Sequence, residues 1–96
     1  MNGSITLSTV LGETFFEEVK KELPKLTETM QFHIIQWIIR EVALFIENSF
    51  PEASNSIDDS KDIVLRELGD CCSLIQIVCK GDYERVYIDS DNVRLQ

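Results

Sequence analysis

The chain carries one imidazole and three thiols, and their placement limits the chemistry it can do. A nucleophilic triad needs a base oriented by a carboxylate, but His33 falls on the polar stripe of a long helical segment, near Gln36 and Arg40, and not in a loop. That position is expected of a helix-surface residue. Cys71 or Cys72 would act as a nucleophile only if nearby cations lowered a thiol pKa, and the adjacent charge is that of Asp70, which works in the opposite direction. With Cys79 the thiols are odd in number, and a bridge between the neighbours Cys71 and Cys72 would be strained, so no disulfide framework is expected. They read as reduced thiols within a sheet, in a cytoplasmic protein. Zinc wants about four ligands at characteristic spacing, which this set does not supply, so no metal is expected.

Carboxylates are plentiful, but no spacing singles out a pair of the kind that flanks a glycosidic bond. The run Asp89-Ser90-Asp91-Asn92 begins like a calcium loop, yet Arg94 stands where the loop's glycine belongs, and a polar turn is the better reading. Gly3, Gly12, Gly69 and Gly81 are scattered and build no phosphate loop. Lys20, Lys21 and Lys25 are interleaved with Glu17, Glu18 and Glu22, which makes a solvated helix face and not a nucleic-acid stripe. No catalytic set and no cofactor site is expected.

These residues have to be positioned by elements that the pattern partly reveals. Residues 4 to 11 alternate weakly, as a short edge strand would, although Leu7, Val10 and Leu11 could also start a helix. Thr14 and Glu17 have capping-box spacing, and Phe15, Phe16, Val19 and Leu23 recur on a first amphipathic helix that Pro24 stops. Thr27 can cap a second helix, with Glu28 in its first turn and no interruption before Ser49-Phe50-Pro51. Twelve of the seventeen residues from Met30 to Ile46 are apolar, leaving a narrow polar stripe of Thr29, His33, Gln36, Arg40 and Glu47. A helix this apolar is expected to be covered on more than one side. Arg40 and Glu41 in its middle argue against a membrane span, and the N-terminus has no basic region followed by an apolar run, so no secretory signal is expected.

Residues 51 to 60 read as a polar, acidic loop. The segment from Lys61 to Leu68 has Ser60, Asp62, Arg66 and Gly69 where a short helix would want them, and is read instead as a strand that completes a hairpin through Gly69-Asp70. Leu74 to Cys79 is apolar on both faces, as a central strand should be. Lys80 to Tyr83 is a hairpin turn signal, Tyr83 to Asp89 alternates, and Ser90-Asp91-Asn92 leads to a last strand from Val93 to Gln96. The expected fold is therefore a single α+β domain over 1–96: two helices, the second long and central, packed on an antiparallel β-meander of three to four strands.

The charge narrows the partners. Seventeen Asp and Glu against nine Lys and Arg give a net charge of -8, which repels nucleic acid and anionic membranes and suits a basic protein. Size and charge together are those of small inhibitors, of immunity or antitoxin type, that neutralise a basic toxin or nuclease by occluding its active site. The residues expected to meet such a partner are Glu52, Asp58, Asp59 and Asp62 around the loop, with Asp82, Tyr83, Tyr87, Asp89 and Asp91 on the hairpin. The competing expectation is a non-catalytic subunit, adaptor or homodimer associating through the long helix around Phe32, Ile39 and Phe45.

Overall fold

In the computed structural model, which describes residues 5–52 and 55–80, the chain forms α1 (Leu7–Leu11), α2 (Glu13–Glu22), a 3-10 turn at Leu23–Lys25, α3 (Glu28–Ser49), α4 (Ser56–Leu68) and α5 (Ser73–Lys80). Among the described residues there is no strand, so the expected α+β arrangement gives way to helices packed on helices. The strands expected at 83–89 and 93–96, with the turn between them, lie outside the described residues.

Two helices form where the local signals put them. Thr27 caps α3, its Oγ1 accepting from the Met30 amide at 3.3 Å, and Glu28 sits in the first turn against the helix dipole. Pro24 tightens the chain into the 3-10 turn between α2 and α3. The buried Gln31 side chain then donates from Nε2 to the Leu23 and Leu26 carbonyls, at 3.1 Å each, tying the turn to α3. The Thr14–Glu17 box is not used: the cap falls two residues earlier, at Gly12, whose φ of 93° is a conformation that L side chains rarely adopt.

Three segments differ from expectation. At 4–11 the edge strand is replaced by the helix start that Leu7, Val10 and Leu11 also allowed. Thr6 caps α1 by accepting from the Thr9 amide at 3.2 Å, and Leu7 is fully buried. Its amide donates to Glu67 Oε1 at 3.0 Å, which fastens α1 to the last turn of α4.

Pro51 and Glu52 form a turn, within the loop expected at 51–60, but from Ser56 onward the rest of that loop and the strand expected at 61–68 are one helix, α4. Its inward positions are Ser56, Ser60, Ile63, Val64 and Leu68, a helical spacing hidden in the sequence because the first two are serines. Both hydroxyls are bonded: Ser60 donates to the Ile57 carbonyl at 2.8 Å, and Ser56 donates to Glu47 Oε2 at 3.0 Å.

The central strand at Leu74 to Cys79 is instead α5. Ile75 and Val78 are fully buried, Cys71, Cys72 and Cys79 pack partly buried against the core, and Gln76 and Ile77 face water. That is one helical stripe, not two sheet faces. The thiols consequently lie along the α4–α5 turn and α5, not in a sheet.

The core runs through α3, which packs on α4, α5, α1 and the 3-10 turn. Phe32, Ile35, Ile39, Val42 and Ile46 form its inward side, meeting Leu7, Val64, Leu68, Ile75 and Val78. Phe32 and Ile39 are each 2% exposed, so they belong to the core and cannot carry the interface with another chain expected of them. Among the described residues no helix is long and apolar enough to cross a membrane.

Candidate functional site

The groups that could do chemistry do not assemble. His33 is exposed on α3 and, among the described residues, makes no hydrogen bond or ion pair; its nearest aromatic neighbour is Phe32, with ring centroids 6.3 Å apart. Burial, then the adjacent Cys72, pushes the Cys71 thiol up, with Asp70 adding to the rise and Lys20 opposing it. Burial also pushes Cys79 up, to about 11, against the pull of Lys61 and with a smaller push from Asp62. Thiols shifted in this direction are poor nucleophiles at neutral pH. No three of the described His, Cys, Asp and Glu side chains stand close enough together to hold a metal ion.

Two surfaces remain. The first is an acidic ridge. Asp58 and Asp59 occupy the first turn of α4 and Asp62 the next, and all three are exposed because the inward side of this helix is taken by Ser56, Ser60 and Ile63. Lys61 stands 4.0 Å from Asp58, an exposed contact worth little in water. Glu52 is exposed in the turn that follows α3. Of the residues expected to meet a partner, the structure thus places Asp58, Asp59 and Asp62 together on one helix face. Asp82, Tyr83, Tyr87, Asp89 and Asp91 lie outside the described residues.

The second surface was not expected. α2 packs on α1 and the 3-10 turn, and the gap it leaves beside α3 is an open, apolar cleft of about 210 Å³. Its apolar lining is Phe15, Val19, Leu23, Leu26 and Ile34, and the charged side chains lining it are Glu18 and Glu22. Trp37 flanks it, meeting Phe15 edge to face with centroids 5.6 Å apart.

From the cleft an apolar seam continues along α3. Met30, Trp37 and Leu44 are 47%, 40% and 47% exposed, and they repeat every seven residues on the side of α3 opposite Ile35 and Ile39. Glu41 lies between Trp37 and Leu44.

The chain matches no family model, no curated protein and no solved structure. The cleft did leave a trace in the sequence: Met30, Ile34, Trp37 and Leu44 have helical spacing of their own. The trace could not be separated from the general apolarity of the helix without knowing which side the other helices cover.

Proposed function

We propose that this chain is a non-enzymatic acidic binding protein of the inhibitor kind, which neutralises a basic toxin or nuclease by covering its active site, as immunity and antitoxin proteins do. The observation that supports this reading is the ridge of Asp58, Asp59 and Asp62, three carboxylates on the solvent side of one helix in a chain of net charge -8. Sites that handle phosphates are cationic, and a surface of opposite sign raises the encounter rate with them and fixes the docked orientation.

The test is capture from the native source at low salt with the tagged chain, elution along a salt gradient, and assay of the eluted protein with and without the chain. A basic protein whose activity disappears in the complex is the expected result. Replacing Asp58, Asp59 and Asp62 with Asn is expected to slow association by about tenfold at low salt and to flatten its salt dependence without unfolding α4. An on-rate indifferent to the triple replacement would remove this ridge from the interface.

A second reading, a subunit or homodimer joined through the long helix, is favoured by the seam of Met30, Trp37 and Leu44. It is distinguished by sedimentation: a defined oligomer of the chain by itself, dispersed by Leu44→Glu, is its expected signature.

A further inference from the structure

The cleft between α2 and α3 has a size, a lining and a rim, and together they describe an occupant. At about 210 Å³ it falls below the several hundred Å³ of ordinary small-molecule sites, so it suits an apolar side chain projecting from a larger partner. Its walls are Val19, Leu23, Leu26 and Ile34, and the seam from Met30 to Leu44 extends that contact along α3 for about 21 Å.

The rim sets the sign of the partner. Glu18 and Glu22 line the cleft and give it its negative sign, while along the seam Glu41 and Arg40 both stand between Trp37 and Leu44 and offset each other. Lys20 is engaged elsewhere, with Nζ 3.2 Å from Glu17 and 4.5 Å from the Phe16 ring centroid. A second copy of the chain would bring its own Glu18 and Glu22 and another -8 of charge to the same place, which disfavours self-association through this surface.

Backbone chemistry sets the partner's form. A peptide that binds by strand addition needs an open sheet edge, and the described residues contain no strand; a helix arrives with its own hydrogen bonds already made.

We infer that the α2–α3 cleft binds a cationic amphipathic helix, whose apolar anchors enter beside Ile34 and Trp37 and whose Lys or Arg side chains meet Glu18 and Glu22. The inference rests on the reading of the chain as a binder of basic protein and names the segment of that partner which it grips.

Trp37 is the sole tryptophan and its ring meets that of Phe15 in the cleft lining, so its emission reports occupancy through that contact. The probe is a fluorescein-labelled, tryptophan-free peptide of about 16 residues with Leu at helical anchor spacing and Lys elsewhere. Its glutamate counterpart serves as the control.

The expected result is saturable binding of the lysine peptide, a blue shift of Trp37 emission, and no binding of the glutamate peptide. Glu18→Lys with Glu22→Lys, both exposed positions, weakens binding by about tenfold or more with unchanged helix content, and Ile34→Asp abolishes it. The chain with Asp58, Asp59 and Asp62 all replaced by Asn binds the peptide as before.

Trp37 emission that stays put while the peptide binds, equal binding by the charge-reversed rim, or loss of binding in the α4 variant each overturns the cleft as the site. So does a dimer in sedimentation that Ile34→Asp disperses, or no peptide binding at all. The inhibitor reading fails separately, if the peptide occupies the cleft but no basic protein with suppressed activity is captured.

Discussion

Ser60 has no exposed surface, yet its hydroxyl donates to the Ile57 carbonyl, and Gln31, 8% exposed, is bonded to the 3-10 turn. Among the described residues no buried side-chain nitrogen or oxygen is left without a partner. Burial raises two thiols, Cys71 and Cys79, and Cys79 is the one raised to about 11. Its thiol moves from an ordinary value of 9.0 to about 11, with Lys61 and Asp62 beside it acting in opposite directions. Between these values the unfolded chain loses its proton while the folded chain keeps it, so the stability is intact below about pH 9 and is lost as pH climbs toward 11. The urea midpoint is therefore expected to fall between about pH 8 and about pH 10.5, and Cys79→Ala is expected to reduce that fall. Parallel pH profiles for the two chains would mean that Cys79 is not responsible. At this scale the sequence was informative about Asp70, whose push on Cys71 is in the direction read from adjacency. It was silent on burial, the larger cause, because neighbours in space are not neighbours in sequence.

The elements divide by how local their determinants are. The long helix begins after its Thr27 cap and ends at Ser49 because that cap, an acidic first turn and a following Pro51 all act within a few residues of the ends. The segments that became α4 and α5 were misread for opposite reasons. In α4 two inward positions are Ser56 and Ser60, so the helical stripe is interrupted where it begins. In α5 eight residues rich in Ile, Val and Leu satisfy a buried strand as well as a helix, and β propensity is a weak preference that packing overrides. The junction of α1 and α2 offers a clear test. Gly12 has φ 93° and ψ 141°, and a β-carbon there would meet no neighbouring atom, so any penalty on substitution is backbone strain alone. Gly12→Ala is expected to lower stability by about 1 to 3 kcal/mol in chemical denaturation. An unchanged midpoint would show that the junction relaxes to a negative φ at no cost.

For the whole molecule the decisive matter is which sides of α3 are covered. α1, α4, α5 and the 3-10 turn bury Phe32, Ile35 and Ile39, while Met30, Trp37 and Leu44 stay in contact with water. The two groups look alike in sequence and should behave oppositely. Phe32→Glu places a charge in the core and is expected to unfold the chain, whereas Leu44→Glu is expected to change stability by about 0.5 kcal/mol or less, both read by circular dichroism during urea titration. A destabilisation by Leu44→Glu comparable to that by Phe32→Glu would mean that the seam is covered in solution. The sequence by itself determined the acidic charge, the presence of a helix on either side of Pro24 with the ends of the second, and the absence of a familiar catalytic motif, since these depend on composition and on signals a few residues apart. Only the tertiary structure decided that residues 56–68 and 73–80 are helical, that Phe32 and Ile39 are core, and that a cleft opens beside Ile34. An apolar run specifies that it will be buried, and the partners that bury it come from elsewhere in the chain.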